Sequence, residues 1–447
     1  MNLLWRMLYR GYRIISWIWY RLPRRFTPAG LGMLAALAIA SVVSLDTENT
    51  VAYQGFALLL FVLLVAVTWG GFFRLRFTAT RLLPRFGTVG HPFHYRVCVR
   101  NPGPKTQIGL TLLEELADRR PGFEEWKAVQ LADEKLVRSF RFKQRRRANP
   151  FKVANIKAAA APPLPPNQET DVHLEILPLR RGVLRFTGVV LGRPDPLGLF
   201  RSFARAEAAQ TALILPRRYP LPPIALPGSM KYQEGGVALA SNVGQSEEFV
   251  ALREYRRGDP LRHIHWRSWA RTGKPIVKEF EDEFFVRHAL VLDTFSDDPH
   301  SEVFEEAVAV ASSFASTIQT QESLLDLLFV GAEAFCFTSG RGLAHSDQML
   351  EILASVSVCV SERFQSLERL VLNHLGAVSG CICVLLAWDE ERQNFVKKIR
   401  LLGVPLLVLV VRAPGDGQVL EPGPMRDEPH RFHTLEAGRI EEGLAKL

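Results

Sequence analysis

Two unbroken apolar runs dominate the front of the chain. Residues 27–45 and 51–73 carry no charged side chain, and each has about the 20 residues an α-helix needs to cross a bilayer. Both are apolar all round rather than along one stripe, as a surface helix of a soluble domain would be. Only Asp46-Thr47-Glu48-Asn49-Thr50 separates them, so residues 27–76 read as a transmembrane helical hairpin with an acidic turn. Ahead of it, Arg6, Arg10 and Arg13 recur on one helical face. Leu4, Met7, Leu8, Ile14, Ile15 and Ile18, with Trp5, Trp17, Trp19 and Tyr20, supply apolar and interfacial surface. Residues 1–26 therefore read as a basic amphipathic helix lying on an anionic leaflet.

Beyond the hairpin the period falls to two. Phe93, Tyr95, Val97 and Val99 alternate with polar residues until Asn101-Pro102-Gly103-Pro104 breaks the run. Ile108, Leu110 and Leu112 resume it, as do Val172, Leu174 and Ile176 and then residues 183–190 after Arg181-Gly182. This spacing predicts an all-β, sandwich-like domain over 77–215. Residues 117–168 depart from the pattern with a basic run, Lys143 to Arg147, and an alanine- and proline-rich stretch, and read as an inserted, partly disordered loop. Asp195-Pro196-Leu197-Gly198-Leu199-Phe200 reads as a corner that hands the chain to the next domain. The proline-rich 216–243 follows as a linker.

From 284 onward strand-like and helix-like segments alternate. Strands are expected at 288–294, 324–330, 334–338, 381–388 and finally 405–411, and helices at 302–319, 347–360, 367–375 and 391–402. Such alternation predicts an α/β domain with a parallel sheet and helices on both faces.

Charge refines this picture. Arg21, Arg24 and Arg25 precede the first apolar run and Arg74, Arg76, Arg81 and Arg85 follow the second, while the turn between has no base. The positive-inside bias then puts both termini in the cytoplasm of a plasma membrane. The net charge of +9 is concentrated beside these runs, where lipid phosphates account for it, and no nucleic-acid-binding module is recognisable. The five cysteines form no disulfide framework and fit reduced thiols.

The densest chemistry lies at 244–283. Asp259-Pro260 has the form of a helix cap and first helical residue, and Thr272-Gly273 that of a stop, which predicts one helix from Pro260 to Thr272. Arg253, Arg256 and Arg257 precede the cap, and Arg262, Trp266, Arg267, Trp269 and Arg271 follow it. Guanidinium forks match carboxylates and phosphates, so these residues, with Asp259, form a candidate partner-binding face. The alternative is an internal lock, in which the arginines pair with Glu247, Glu248, Glu254, Glu279, Glu281 and Asp282. An enzymatic use of Asp259, His265 and Glu254 as acid or base groups is a further alternative.

Gly244 to Phe249, Leu252 to Asp259, Arg262 to Arg271 and Glu279 to Glu281 together resemble the signature of the domain-of-unknown-function family 58. The resemblance implies a bacterial membrane protein whose C-terminal α/β domain is von Willebrand A-like. It also implies protein partners, namely a MoxR-type AAA+ ATPase and other von Willebrand A-type proteins. In A-type domains a divalent metal, usually magnesium, sits where Asp293, Ser296, Asp297 and Asp389 fall here. Phe295 stands in place of the first hydroxyl ligand, so the resemblance implies a degraded metal site and no obligatory cofactor. The implied function is a non-enzymatic, membrane-anchored scaffold or adaptor. A metal-dependent adhesion-type receptor is the alternative, and an uncharacterised hydrolase a more distant one.

Overall fold

The computed structural model describes residues 2–44, 50–117, 120–138, 151–222, 249–257, 259, 261–280, 286–298, 300–317, 323–339, 343–360, 362–415 and 420–447. They form two compact units, Met1–Arg217 and Arg218–Leu447.

The first unit begins with helices α1 (Asn2–Arg25), α2 (Pro28–Val43) and α3 (Thr50–Gly71). Within α3, Tyr53–Gly71 is long and apolar enough to cross a membrane. Its partner α2 has 16 residues, about 24 Å of helix against a hydrocarbon core of about 30 Å. The two expected spans of similar length are therefore one full-length helix and one shorter apolar helix packed against it. The acidic turn lies outside the described residues.

The β strands of this unit are β1 (Thr78–Leu82), β2 (Phe86–Thr88), β3 (Phe93–Arg100) and β4 (Thr111–Leu116). After α4 (Phe123–Arg138) come β5 (Ala154–Ile156), β6 (Ala159–Ala160), β7 (Glu169–Pro178), β8 (Gly182–Pro194) and β9 (Arg201–Leu215). They pair as two sheets, β1-β3-β7-β5 and β2-β9-β8-β4-β6. Val97, Val172 and Ile176 from the first sheet and Leu112, Phe186, Leu191 and Ile214 from the second share one core. The expected loop at 117–168 is corrected in part: it contributes α4 and two short strands, with 139–150 outside the described residues.

The corner at Asp195 has a different task from the expected one. It is the β8–β9 turn, and the Asp195 carboxylate closes it by accepting the backbone N–H groups of Leu197, Leu199 and Phe200 at 2.9, 2.7 and 2.6 Å. That turn receives the ends of α2 and α3. Thr27 caps α2 and donates its hydroxyl to Gly198 O at 2.5 Å, and Ala66 of α3 is buried with Leu199 and Phe200. A Cβ on Gly30 would lie 2.0 Å from Leu199 O, so only glycine lets α2 approach the turn.

In the second unit β10 (Phe249–Glu254), α5 (Trp266–Thr272) and β11 (Ile276–Phe280) precede the α/β portion. That portion comprises β12 (Val286–Leu292), α6 (Glu302–Thr317), β13 (Ser323–Val330), β14 (Ala334–Ser339), α7 (Leu343–Ser355) and α8 (Phe364–His374). It continues with β15 (Gly380–Leu385), α9 (Glu390–Leu401), β16 (Leu406–Arg412), β17 (Phe432–Glu436) and α10 (Ile440–Leu444). The sheet order is β14-β13-β12-β15-β16-β17. One apolar cluster lies under α6, α7 and α10 and the other under α8 and α9, so helices cover both faces.

Three expectations are corrected here. The sheet is mixed, because β14 runs antiparallel to β13; Gly331–Glu333 is too short for the crossover that a parallel neighbour needs. The expected last strand is followed by β17, whose Phe-His-Thr-Leu-Glu sequence is too polar to stand out as a buried strand. The start of the expected linker belongs to this unit: Tyr219 is buried, its N–H donates to Ser313 Oγ at 2.8 Å and its hydroxyl to Glu306 at 2.6 Å.

Candidate functional site

β10 and β11 form an antiparallel ribbon, and the chain between them folds back on it. Tyr255 N–H bonds Pro275 O, His265 N–H bonds Ile276 O, and Ile264 bridges to Val277. Ile264 and Val277 are both buried and make the small apolar centre of the segment. The expected single helix is corrected. Leu261–His263 is a 3-10 turn and α5 starts only at Trp266, after His265. Its end is as expected: Gly273 has φ 72° and donates to Trp269 O at 2.9 Å.

Asp259 does not cap a helix. Its carboxylate accepts both arms of the Arg253 guanidinium at 2.7 and 2.8 Å and the Arg256 N–H at 2.7 Å. These contacts, Arg253 first, hold its carboxyl down at about 2. A lowered folded value means that this tie is fully present above the ordinary carboxylate range and is lost only as the pH falls through about 2. Asp-selective carbon-13 titration of the chain in nanodiscs is expected to show that midpoint for Asp259. In Arg253→Met it is expected to rise toward the ordinary carboxylate value of about 3.9 without reaching it, because the Arg256 N–H still favours the charged form; an unchanged midpoint would show that Arg253 is not its cause.

The remaining cations face outward. Arg256, Arg257, Arg267 and Arg271 are exposed, and among the described residues none of them pairs with a carboxylate. Arg267 and Arg271 are one helical turn apart on α5. Trp266 is 65% exposed and stacks on the half-buried Trp269 with ring centroids 5.2 Å apart. The Arg262 side chain lies outside what is described, as do Glu247, Glu248, Glu281 and Asp282. Of the acids offered for an internal lock, Glu254 holds Lys274 at 3.1 Å rather than an arginine, and the Glu279 side chain lies outside what is described; it is Asp259, expected on the partner-binding face, that holds Arg253. Asp259, Glu254 and His265 do not converge on one point: His265 Nδ1 contacts Ser268 Oγ at 2.6 Å within its own turn.

The second candidate place is the head of the sheet. The chain leaves β12 toward β13 on one side and returns to β15 on the other, so the carboxyl ends of β12 and β15 flank a topological switch point. Asp293 follows β12 and is fully buried. It accepts Phe295 N–H at 3.0 Å, Leu386 N–H at 3.1 Å and Arg392 Nε at 2.6 Å. Asp389 caps α9 through the Arg392 N–H at 3.0 Å and takes Arg392 Nη1 at 2.5 Å. The guanidinium lies 4.8 Å from the Phe364 ring centre. Burial opposes its charge, but Asp293 and Asp389 overcome that and raise its pKa.

The four residues named for a metal are thus not gathered round one point. Asp293 and Asp389 are joined by an arginine cation, Ser296 Oγ accepts Asp298 N–H at 3.3 Å, and Asp297 is exposed in the loop. Among the described residues no group of three or more His, Cys, Asp or Glu side chains is placed to hold a metal ion. Sequence reasoning missed Arg392. Its local signal is Asp389-x-x-Arg392 at a helix start, whereas its link to Asp293 spans 99 residues.

Comparison with known proteins places the ribbon in a wider context. Residues 251–370 match the family described as "Protein of unknown function DUF58". The match starts in β10 and runs into α8, so it takes in most of the ribbon segment, Asp293 and the first half of the sheet. An uncharacterized protein, YeaD, of Bacillus subtilis (strain 168) is 29% identical over 184 residues, 40% of this chain and 44% of that protein. The chain therefore matches less than half of that relative's length.

Among solved structures, a CARDB domain from Pyrococcus furiosus is 11% identical, with 31% of this chain and 93% of that one covered and a TM-score of 0.16. A cohesin module from a Clostridium perfringens family 33 glycoside hydrolase is 9% identical over 32% of this chain and 98% of that one, with a TM-score of 0.14. Scores this low carry no argument about fold or use.

Proposed function

We propose that the chain is a non-enzymatic, membrane-anchored adaptor whose ribbon segment docks protein partners at the cytoplasmic face of a bacterial plasma membrane. The observation that carries this reading is the pairing pattern on the ribbon. Arg253 and Asp259 fix its shape, while Trp266 and the Arg256, Arg257, Arg267 and Arg271 guanidiniums stay exposed. A surface indole beside several arginines is the composition that dominates protein-binding energetics. The partner is a protein with an acidic face, and the family resemblance points to a MoxR-type AAA+ ATPase, with other von Willebrand A-type proteins as further candidates. The α2–α3 pair is the anchor, with both termini cytoplasmic, as the arginines at 21–25 and 74–85 favour. The α/β portion is the von Willebrand A-like part. A guanidinium, rather than a divalent metal, links its two head carboxylates, so this reading needs no cofactor.

Pull-down from a detergent extract of the native host tests the docking face. Wild type is expected to capture an AAA+ ATPase, and Arg256→Glu/Arg257→Glu and Trp266→Ala to weaken that binding by about 30-fold or more, since hot-spot changes cost about 2 kcal/mol or more. Equal capture by all three chains would remove the ribbon as the docking face.

A further inference from the structure

Helix α1 divides into three arcs that the sequence alone does not separate. At 100° per residue, Trp5, Tyr9 and Tyr12 share one arc, and it is occupied. Their rings meet Trp126 of α4 at 5.9, 5.6 and 5.7 Å, and Tyr9 donates its hydroxyl to Pro121 O at 2.8 Å. A second arc carries Arg6, Arg10, Arg13 and Arg21, all exposed. The third carries Leu4, Met7, Leu8, Ile15 and Trp19, which are 50 to 76% exposed. The C-terminal end is tied down: Arg24 donates to Glu114 O at 3.0 Å, and Arg25 lies over Phe200 and Phe203.

We infer that the third arc is seated in the interface of an anionic bilayer, and that α1 carries α4 on its adjacent, aromatic side. The helix would then rest on lipid headgroups along one side and hold the insert of the β unit on the next. This rests on the membrane-anchored part of the proposed function and adds a second, in-plane lipid contact to the spanning anchor. Two observations favour lipid as the occupant. The helix has no acidic residue, and its arginines lie across from the apolar arc along its length, which is the arrangement an interfacial helix needs. A spanning orientation would bury Arg6, Arg10 and Arg13 in hydrocarbon.

The test is spin-label accessibility in the full chain, with Cys98 and Cys336 changed to serine, in vesicles of phosphatidylglycerol and phosphatidylethanolamine. Labels go at Leu4→Cys, Ile15→Cys and Arg13→Cys, all at exposed positions that leave the α4 contact intact. The expected oxygen-to-nickel collision ratio is on the order of threefold higher at Leu4 and Ile15 than at Arg13. The two apolar sites should give the same depth, and both ratios should fall in phosphatidylcholine vesicles. If alkaline carbonate strips the chain from the vesicles, the anchor reading and this inference fail together. With the chain retained, a nickel-accessible Ile15 label, a graded depth from Leu4 to Ile15, or spin–spin broadening between copies overturns this inference alone. Equal ratios in both lipids overturn the choice of anionic headgroups.

Discussion

Arg392→Met is expected to destabilise the α/β portion by about 3–5 kcal/mol, the cost of breaking a buried ion pair from one side. Asp293 has no access to water, and Arg392 Nε at 2.6 Å is the only charged group that the described contacts place on it. Methionine keeps the packing against Phe364 but removes the cation, so a carboxylate stays buried with only the Phe295 and Leu386 N–H groups. Asp389 loses its tie as well, although it is half exposed and water replaces most of that contact. Arg392→Lys is expected to fall between the two, because a point charge on a shorter stem cannot reach both carboxylates as a fork does. Arg392→Met/Asp293→Asn should recover much of the loss by removing the orphaned charge.

Trp388 is a local reporter, since its indole N–H bonds Glu421 O and its ring meets Phe432 at 4.8 Å. Denaturant titration of the solubilised chain carrying 5-fluorotryptophan, followed by the fluorine resonance assigned to Trp388, gives the four stabilities. A loss below about 1 kcal/mol for Arg392→Met would class the bridge with ordinary surface pairs and would reopen the head of the sheet as a place for another cation.

What the sequence disclosed and what it hid follow from the range of the forces involved. The most buried strands are apolar runs, and their existence needs no partner to be inferred; β15, β16 up to Val411 and β12 from Ala289 onward are of this kind. β17 was illegible because it borrows its burial from β16 and α10, leaving polar residues in its own sequence. α4 was hidden by its neighbours: the basic run and the alanine–proline stretch set the tone of 117–168, although Trp126 and Val129 already mark a buried helical face. At Asp259 a local preference lost to a better one. A carboxylate before proline is a good cap, but the Arg253 fork supplies a charge-assisted bidentate bond that a cap does not.

The candidate residues of the ribbon were legible as a set because arginine and tryptophan are conspicuous together. Which arginine is internal was not, since that depends on the ribbon register. The Asp293–Arg392 bridge was least legible of all, because only the crossing of the chain at the switch point brings its ends together.

The same physics applies in the β unit, where Arg81→Met is expected to cost about 3–5 kcal/mol. Arg81 on β1 and Glu114 on β4 belong to different sheets, and both side chains are sealed from water. The guanidinium takes both carboxylate oxygens at 2.9 and 2.7 Å, donates a third bond to Ala208 O at 2.9 Å and lies 4.5 Å from the Phe186 ring centre. Tyr95 sits beside the pair, and burial together with the Glu114 charge pushes its phenol well above the usual range. With methionine at 81 the Glu114 carboxylate has no counter-ion within the core.

The loss should therefore shrink as the pH is lowered, because a protonated Glu114 costs less to bury than an ionised one. Arg81→Met/Glu114→Leu removes both charges and should come back to within about 1 kcal/mol of wild type or exceed it. Denaturant midpoints of the wild type, the two single variants and the double variant, at pH 5 and pH 8, close the cycle. Additive losses with no pH dependence would show that the pair is not coupled and that the sheets are held by their apolar core alone. A coupled result carries a consequence for the N-terminal helices. Glu114 O also receives Arg24 of α1, so loosening this link between the sheets should weaken the seat of α1 before the sandwich itself unfolds.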